Sequence, residues 1–229
     1  MIFIAEIGMN HNGNINLCYE LIKQAKYAGA DIVKFQLGWR SNKGELNYID
    51  DQDLSKIFEW GKHFEIEVMF SILDKNSLNR YLKFKPRRIK IASRTLLEEN
   101  LSLAKEIINK KKETIISLGM WEKKIFPFKK NSKIKYLWCK SLYPTFDKHL
   151  KEFPKKFSSK TYDGFSDHTI GIETSLLAIS RGAIIIERHF SLDKSDNTIR
   201  DHIISSTPSE FRLLVELGRE IHKKYKLNI

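Results

Sequence analysis

Residues 2–36 read IFIAEIGMNHNGNINLCYELIKQAKYAGADIVKFQ and predict a strand, a helix and a second strand. The runs Ile2–Glu6 and Ile32–Gln36 are short, apolar and rich in β-branched residues, which is typical of buried strands. Between them, Ile15–Ala28 places apolar side chains at helical spacing, and Gly29 follows as a helix stop. A strand, a helix and a strand in this order indicate a parallel sheet.

The same unit recurs along the rest of the chain. The eight predicted strands are Ile2–Glu6, Ile32–Gln36, Glu67–Ser71, Arg88–Ile91, Thr114–Ser117, Ile134–Trp138, Asp163–Ser166 and Ile184–Glu187. The predicted helices are Ile15–Ala28, Leu54–Phe64, Leu97–Lys110, Ile172–Arg181 and Glu210–Tyr225. Residues 122–133 contain Pro127 and many lysines, which leaves little room for a fifth helix. We therefore predict one compact (β/α)8 TIM barrel over residues 1–229, with a degenerate fifth helix.

The composition is that of an ordinary soluble protein, with 41% hydrophobic and 30% charged residues. No apolar run approaches the ~18 residues of a membrane span, and the first residues lack a basic leader. Cys18 and Cys139 are too few for a disulfide framework or a zinc site, so we expect a reducing, cytoplasmic environment.

The net charge of +12 raises the alternative of a nucleic-acid-binding protein. The basic residues are spread from Lys23 to Lys226, and the densest groups, residues 110–112 and 123–124, lack interleaved aromatic side chains. We therefore expect no nucleic-acid partner, and a basic surface that attracts an anionic small substrate.

Polar side chains follow nearly every predicted strand, where barrel enzymes build their active sites. His168 and His189 end neighbouring strands, so their rings could share one divalent cation. The alternative is a pair of hydrogen-bonded histidines. A set of ammonium and hydroxyl donors, with few strand-end acids nearby, predicts a site for a phosphate or a phosphorylated carboxylate; it consists of Lys34, Lys90, Ser93, Ser117, Ser141 and Ser166. Taken alone, Lys90 could also be an exposed residue that follows Arg87 and Arg88.

A series of motifs resembles, in order, those of the sialic acid synthase family, which includes legionaminic and pseudaminic acid synthases. They are AEIGMNHNG at 5–13, GAD at 29–31 with KFQ at 34–36, KIAS at 90–93, SLGM at 117–120, CKSLYPT at 139–145, GFSDHTIG at 164–171, IERHF at 186–190 and DH at 201–202. The resemblance spans essentially the whole chain.

The resemblance implies condensation of phosphoenolpyruvate with an N-acetylmannosamine-like aldehyde sugar, which yields a nonulosonic acid and phosphate by C–O cleavage. It implies a divalent ion at His168 and His189, with Mn2+ expected and Mg2+ or Co2+ as alternatives. By position, Glu6, Lys34 and Lys90 would be catalytic, the six donors would bind phosphoenolpyruvate, and the sugar would contact Gln36, Tyr143, Asp201 and Arg94. A metal-dependent keto-acid aldolase or lyase, and a ligand-binding barrel without turnover, are the alternative functions. The resemblance also allows a homodimer.

Several positions depart from the family pattern. Arg94-Thr95 stands where a glycine and an acidic sugar-binding residue are common, and Ile199-Arg200 replaces a Gly-Pro before Asp201. The resemblance is limited to the barrel, so we expect a chain without the family's C-terminal antifreeze-like domain, which supplies a sugar-site arginine. We therefore expect an acceptor that differs from plain N-acetylmannosamine, with Arg94 either binding it or pairing in solvent with Glu98.

Overall fold

Eight parallel strands close into a barrel in the computed structural model, which describes residues 1–227. The strands are β1 Ile2–Gly8, β2 Ile32–Leu37, β3 Glu67–Ile72, β4 Arg88–Ile91, β5 Glu113–Ser117, β6 Ile134–Cys139, β7 Gly164–Asp167 and β8 Ile185–His189. Each strand pairs with the next one in the chain, and β8 pairs with β1. The predicted fold class is confirmed.

Helices cover the outside of the barrel. They are α1 Ile15–Tyr27, α2 Asp51–His63, α3 Lys75–Leu82, α4 Leu101–Asn109, α5 Glu173–Ser180, α6 Asp201–Ile204 and α7 Pro208–Lys226, with short 3-10 turns at Ser93–Leu96, Glu98–Asn100 and Asp147–His149. Polar side chains at Asn14, Asp50, Asp74 and Thr207 cap the first turns of four helices. None of the described helices combines the length and the apolar character that a membrane span needs.

The helix predictions differ from the structure at three places, one of which is the short α6, which was not predicted. The helix α3 was not predicted, because it is short and buries only one face through Leu78 and Tyr81. The predicted helix at Leu97–Lys110 begins instead at Leu101, because residues 93–100 form two 3-10 turns. The fifth helix is absent as predicted, and within residues 1–227 no α-helix lies between β5 and β7.

The interior of the barrel changes from apolar to polar along the strands. An apolar layer near the amino-terminal ends consists of Ile4, Ile32, Met69, Ile115, Leu137 and Ile185. Two residues further along the same strands lie Glu6, Lys34, Ser71, Ser117, Cys139 and Glu187. Because side chains two apart on a strand point the same way, these six also face inward. The barrel thus places a polar layer on an apolar floor, at the end where (β/α)8 enzymes bind substrates.

Candidate active site

One cavity of about 480 Å3 opens at the carboxyl ends of the strands. Every residue predicted for the site lines this cavity: Glu6, Lys34, Gln36, Lys90, Ser93, Arg94, Ser117, Ser141, Tyr143, Ser166, His168, His189 and Asp201. The cavity also contains residues that the sequence analysis left out of the site, including Trp39, Arg40, Cys139, Glu187 and Arg200.

Glu6 and Lys34 form one half of the polar layer. The Lys34 ammonium lies 2.6 Å from a carboxylate oxygen of Glu6 and donates to the Ser71 hydroxyl at 3.0 Å. Gln36 donates to the other Glu6 oxygen at 3.2 Å. Gly8 has φ of +56°, and a Cβ there would lie 3.2 Å from Glu6 Oε1, so glycine leaves this carboxylate room and supplies the left-handed backbone.

Lys90 and Glu187 form the other half. The Lys90 ammonium donates to Ser117 Oγ at 2.7 Å and to Glu187 Oε1 at 3.1 Å. The same carboxylate oxygen accepts a hydrogen bond from Ser166 at 2.9 Å, and the second oxygen lies 3.8 Å from Lys34. Glu187 therefore joins the two lysines.

The prediction that few strand-end acids lie near the donor set is wrong. Lys34 and Lys90 each have a buried carboxylate within 3.1 Å. The alternation that pairs Glu187 with His189 on one face of β8 indicated an inward carboxylate, but only the closed barrel brings it to lysines on other strands.

The two buried carboxylates have opposite pKa shifts. Burial raises the pKa of Glu6, against the opposing charge of Lys34. Burial alone would also raise the pKa of Glu187, but the ammonium groups of Lys34 and Lys90 outweigh it and lower the pKa to about 2. Glu187 is therefore a fixed anion, whereas Glu6 is the carboxylate better able to exchange a proton.

Hydroxyl groups surround the lysines. Ser93 Oγ accepts a hydrogen bond from the Gly119 backbone N–H at 3.0 Å, which leaves the hydroxyl proton free to donate. A Cβ on Gly119 would lie 2.4 Å from Ser141 Oγ, so a glycine allows the loop after β5 to pass over Ser141. The site therefore brings ammonium groups and serine hydroxyls from six different strand ends into one cavity.

The two imidazoles lie beside each other at the ends of β7 and β8. Their ring centroids are 5.3 Å apart, and the Tyr143 ring stacks on His168 at 4.3 Å. His168 Nδ1 lies 2.7 Å from the Lys140 carbonyl, so Nδ1–H donates, and in the neutral ring the lone pair resides on Nε2. This is the arrangement that a metal-ligating histidine requires.

His189 fits the same role. Its buried Nδ1 has no hydrogen-bond partner among residues 1–227 and lies 3.8 Å from Asp201 Oδ2. Burial and the neighbouring His168 hold its pKa well below the ordinary value, so the ring is neutral and offers a lone pair. Among residues 1–227 no group of three His, Cys, Asp or Glu side chains forms a complete ligand set. A cation held here would therefore keep positions for water or substrate.

Arg94 does not pair with Glu98. Its guanidinium lies over the Trp39 ring, with Cζ 4.0 Å from the ring centroid. The neighbouring Thr95 is 1% exposed and donates to the Ile72 carbonyl at 3.2 Å, so it points away from the cavity. On the far side of the cavity, Arg200 lies over the Tyr143 ring at 4.4 Å. Arginines thus stand at both edges of the cavity mouth.

A hydrogen-bond network holds the loop that carries Asp201. His202 Nε2 lies 2.9 Å from the Asn12 amide oxygen, and His202 Nδ1 lies 2.7 Å from Ser191 Oγ. Asn12 belongs to the loop after β1 and Ser191 to the loop after β8, so His202 joins the two loops. Asp201 is 6% exposed and lines the cavity, and burial raises its pKa.

Comparisons with known proteins place the chain among synthases. The sequence profile of the NeuB family matches residues 42–228. The chain is 32% identical over 255 residues to the N,N'-diacetyllegionaminic acid synthase of Legionella pneumophila, with 95% of this chain and 71% of that protein aligned. It is 32% identical over 253 residues to the pseudaminic acid synthase of Campylobacter jejuni, with coverage of 95% and 72%. The N-acetylneuraminic acid (sialic acid) synthetase of Leptospira borgpetersenii, solved in complex with citrate, superposes with a TM-score of 0.77 at 27% identity, covering 97% of this chain and 84% of that one.

These matches agree with the motifs that run from residue 5 to residue 202. The family profile covers most of the chain, and the relatives align with nearly all of it. The chain therefore belongs to the NeuB family, and it is an enzyme of the sialic acid synthase type.

Proposed function

We propose that this enzyme joins phosphoenolpyruvate to an aldehyde sugar and releases phosphate. The observation that carries the proposal is the polar layer, in which Lys34 and Lys90 lie among serine hydroxyls at the bottom of one cavity. A phosphate and a carboxylate need several hydrogen-bond donors that point at their oxygens. This layer supplies such donors from the barrel strands, which hold them in place before the substrate binds.

The roles divide according to the contacts. Lys34 and Lys90, with the hydroxyls of Ser93, Ser117, Ser141 and Ser166, would bind phosphoenolpyruvate. Glu187 would hold the two ammonium groups in place, because it contacts both of them and stays ionised. Gln36, Tyr143 and Asp201 line the remainder of the cavity and would contact the sugar.

His168 and His189 would hold a divalent cation, with Mn2+ as the first candidate and Mg2+ or Co2+ as alternatives. When bound, such an ion supplies Lewis-acid polarisation of the aldehyde oxygen. The chain's own contribution is to present the neutral ring of His189 and to fix the ring of His168 through the Lys140 carbonyl.

The bond changes then follow from the substrates. C3 of phosphoenolpyruvate attacks the aldehyde carbon, the aldehyde oxygen takes up a proton from solvent to become a hydroxyl group, and a positive charge develops at C2. Water adds at C2, and Glu6, whose raised pKa makes it a stronger base than an ordinary glutamate, accepts the proton. The tetrahedral carbon then expels phosphate as its C2–O bond breaks, and the proton of the C2 hydroxyl passes to the departing phosphate, which leaves a ketone. The fixed charges of Lys34 and Lys90 would stabilise the departing phosphate.

The decisive experiment measures phosphate release from phosphoenolpyruvate labelled with 18O at the bridging oxygen. A panel of aldehyde sugars is tested with and without Mn2+. We expect phosphate that carries the label, together with a product whose mass is that of sugar plus pyruvate. Unlabelled phosphate would contradict C–O cleavage. Formation of pyruvate from a keto-acid without phosphate would favour the aldolase or lyase alternative, and no turnover with any sugar would favour a binding barrel.

A further inference from the structure

We propose that the acceptor sugar carries an oxyanion, a phosphate or a carboxylate, at the end far from its aldehyde, and that Arg94 binds it. This inference rests on the proposed function and names the class of acceptor within it. Its basis is a positioned guanidinium at the cavity mouth whose donors have no partner among residues 1–227.

Arg94 is held in place without being neutralised. Its guanidinium stacks on Trp39 at 4.0 Å, and its backbone carbonyl accepts a hydrogen bond from Asn100. Within the described residues, no carboxylate lies within salt-bridge distance of Arg94, and its guanidinium makes no hydrogen bond to protein. Stacking fixes the plane of the guanidinium and leaves its N–H edge free, which is the preorganised state that suits bidentate binding of an oxyanion.

A second arginine, Arg40, adds positive charge to the cavity mouth near Arg94. Arg40 follows Trp39 in the loop after β2, lines the same cavity and has no carboxylate within salt-bridge distance in the described part of the chain. We call Arg40 and Arg94 the basic rim. No acidic side chain of the cavity belongs to the loops that carry the basic rim, because Glu6, Glu187 and Asp201 belong to β1, β8 and α6.

The position of the basic rim in the barrel indicates that it contacts the acceptor sugar. Trp39 and Arg94 follow β2 and β4, whereas His168 and His189 end β7 and β8, on the other side of the eight-stranded barrel. A sugar whose aldehyde lies at the imidazoles therefore directs its far end toward the basic rim. A neutral sugar would leave two unpaired guanidinium groups at that end, whereas an anionic group would pair with them.

The basic rim is not part of the proposed phosphoenolpyruvate site. Its proposed donors lie deeper, since Lys34, Lys90 and Ser117 are each at most 3% exposed, whereas Arg94 is half-buried and Arg40 is exposed. The buried lysines are also ion-paired, Lys34 with Glu6 and Lys90 with Glu187, at the bottom of the cavity. The basic rim is thus a separate group of cations above that layer.

The test compares three acceptors that differ only at C6: N-acetylmannosamine, its 6-phosphate and its 6-carboxylate. Phosphate release gives kcat/KM for each sugar with the wild-type enzyme, Arg94→Gln, Arg94→Lys and the control Arg87→Gln. Arg87 is an exposed arginine at the amino-terminal end of β4, far from the cavity, where it pairs with Glu113. We expect a charged acceptor to be preferred, and Arg94→Gln to lower the charged-to-neutral ratio by about 10- to 100-fold. Arg94→Lys should lower this ratio less, because it keeps the charge but loses the fork.

Three outcomes would overturn the inference: equal or better use of the neutral sugar by the wild-type enzyme, a ratio that Arg94→Gln leaves unchanged, or an effect of Arg94→Gln confined to the KM for phosphoenolpyruvate. In all three cases phosphate release would still support the proposed function. If no sugar supports phosphate release, the proposed function fails, and calorimetry with the same three sugars decides the inference. Tighter binding of a charged sugar that Arg94→Gln weakens supports it, and equal binding of all three overturns it.

Discussion

Asp167 and Arg188 form a buried ion pair, and in the sequence they immediately precede His168 and His189. Removal of this ion pair should destabilise the whole barrel. Arg188 Nη1 lies 3.0 Å from Asp167 Oδ2, and both side chains are at most 1% exposed. Asp167 also accepts hydrogen bonds from the Thr169 backbone N–H at 2.8 Å and from the Ser175 hydroxyl at 2.6 Å. The substitution Asp167→Asn keeps the shape of the side chain but removes its charge and one acceptor.

The expected cost follows from these contacts. Removal of one partner of a buried ion pair costs ~3–5 kcal/mol, because the other charge is left uncompensated. Arg188 keeps three hydrogen bonds, to Ser206 and to the carbonyls of Thr169 and Ile204, so we expect the lower end of that range, about 3 kcal/mol. This is a large part of the ~5–15 kcal/mol by which a typical domain is stable.

Urea unfolding followed by circular dichroism measures the free energy of unfolding of wild type and Asp167→Asn. The matched control is Glu152→Gln, which breaks an ion pair with Lys140 whose glutamate side chain is 79% exposed, so that the change should be ~0–1 kcal/mol. A loss of unfolding free energy no larger than that of the control would refute the reasoning.

Three further predictions concern the proposed chemistry. The double variant His168→Ala/His189→Ala should retain no divalent ion by metal analysis, and undiminished occupancy would assign the ion to other ligands. Lys90→Ala should weaken phosphoenolpyruvate binding by ~1.5–3 kcal/mol, the range for a hydrogen bond to a charged group; unchanged affinity in calorimetry would remove Lys90 from the binding site. Glu6→Gln should lower kcat by ~10²–10⁴-fold while phosphoenolpyruvate still binds. Because the deprotonated form of Glu6 is the active one and burial raises its pKa, activity should be lost as the pH falls through a value above 4.5, and an acid limb at or below 4.5 would contradict its role.

Local patterns were sufficient to predict the barrel and most of the cavity lining. The strand repeat and the two-residue alternation within strands are properties of neighbouring residues, and they place Glu6, Lys34, His168 and His189 at one end of a closed barrel. The sequence motifs then identified the family to which the barrel belongs. The sequence patterns predicted the absence of a fifth helix correctly. They missed α3 and α6, because a helix of only one or two turns gives a weak periodic pattern.

Two features depended on tertiary structure. Glu187 neutralises two lysines that precede it by many residues, 97 positions in the case of Lys90. Only closure of the barrel brings Lys90 within 3.1 Å of Glu187 and Lys34 within 3.8 Å. Arg94 and Trp39 come from loops after β4 and β2, with β3 between them, so neither sequence spacing nor strand pairing indicates their contact. The sequence by itself determined which residues point into the barrel, because side-chain direction is local. Which charges are paired and which are left free was decided by distances across the closed barrel, and these distances set the electrostatics of the site.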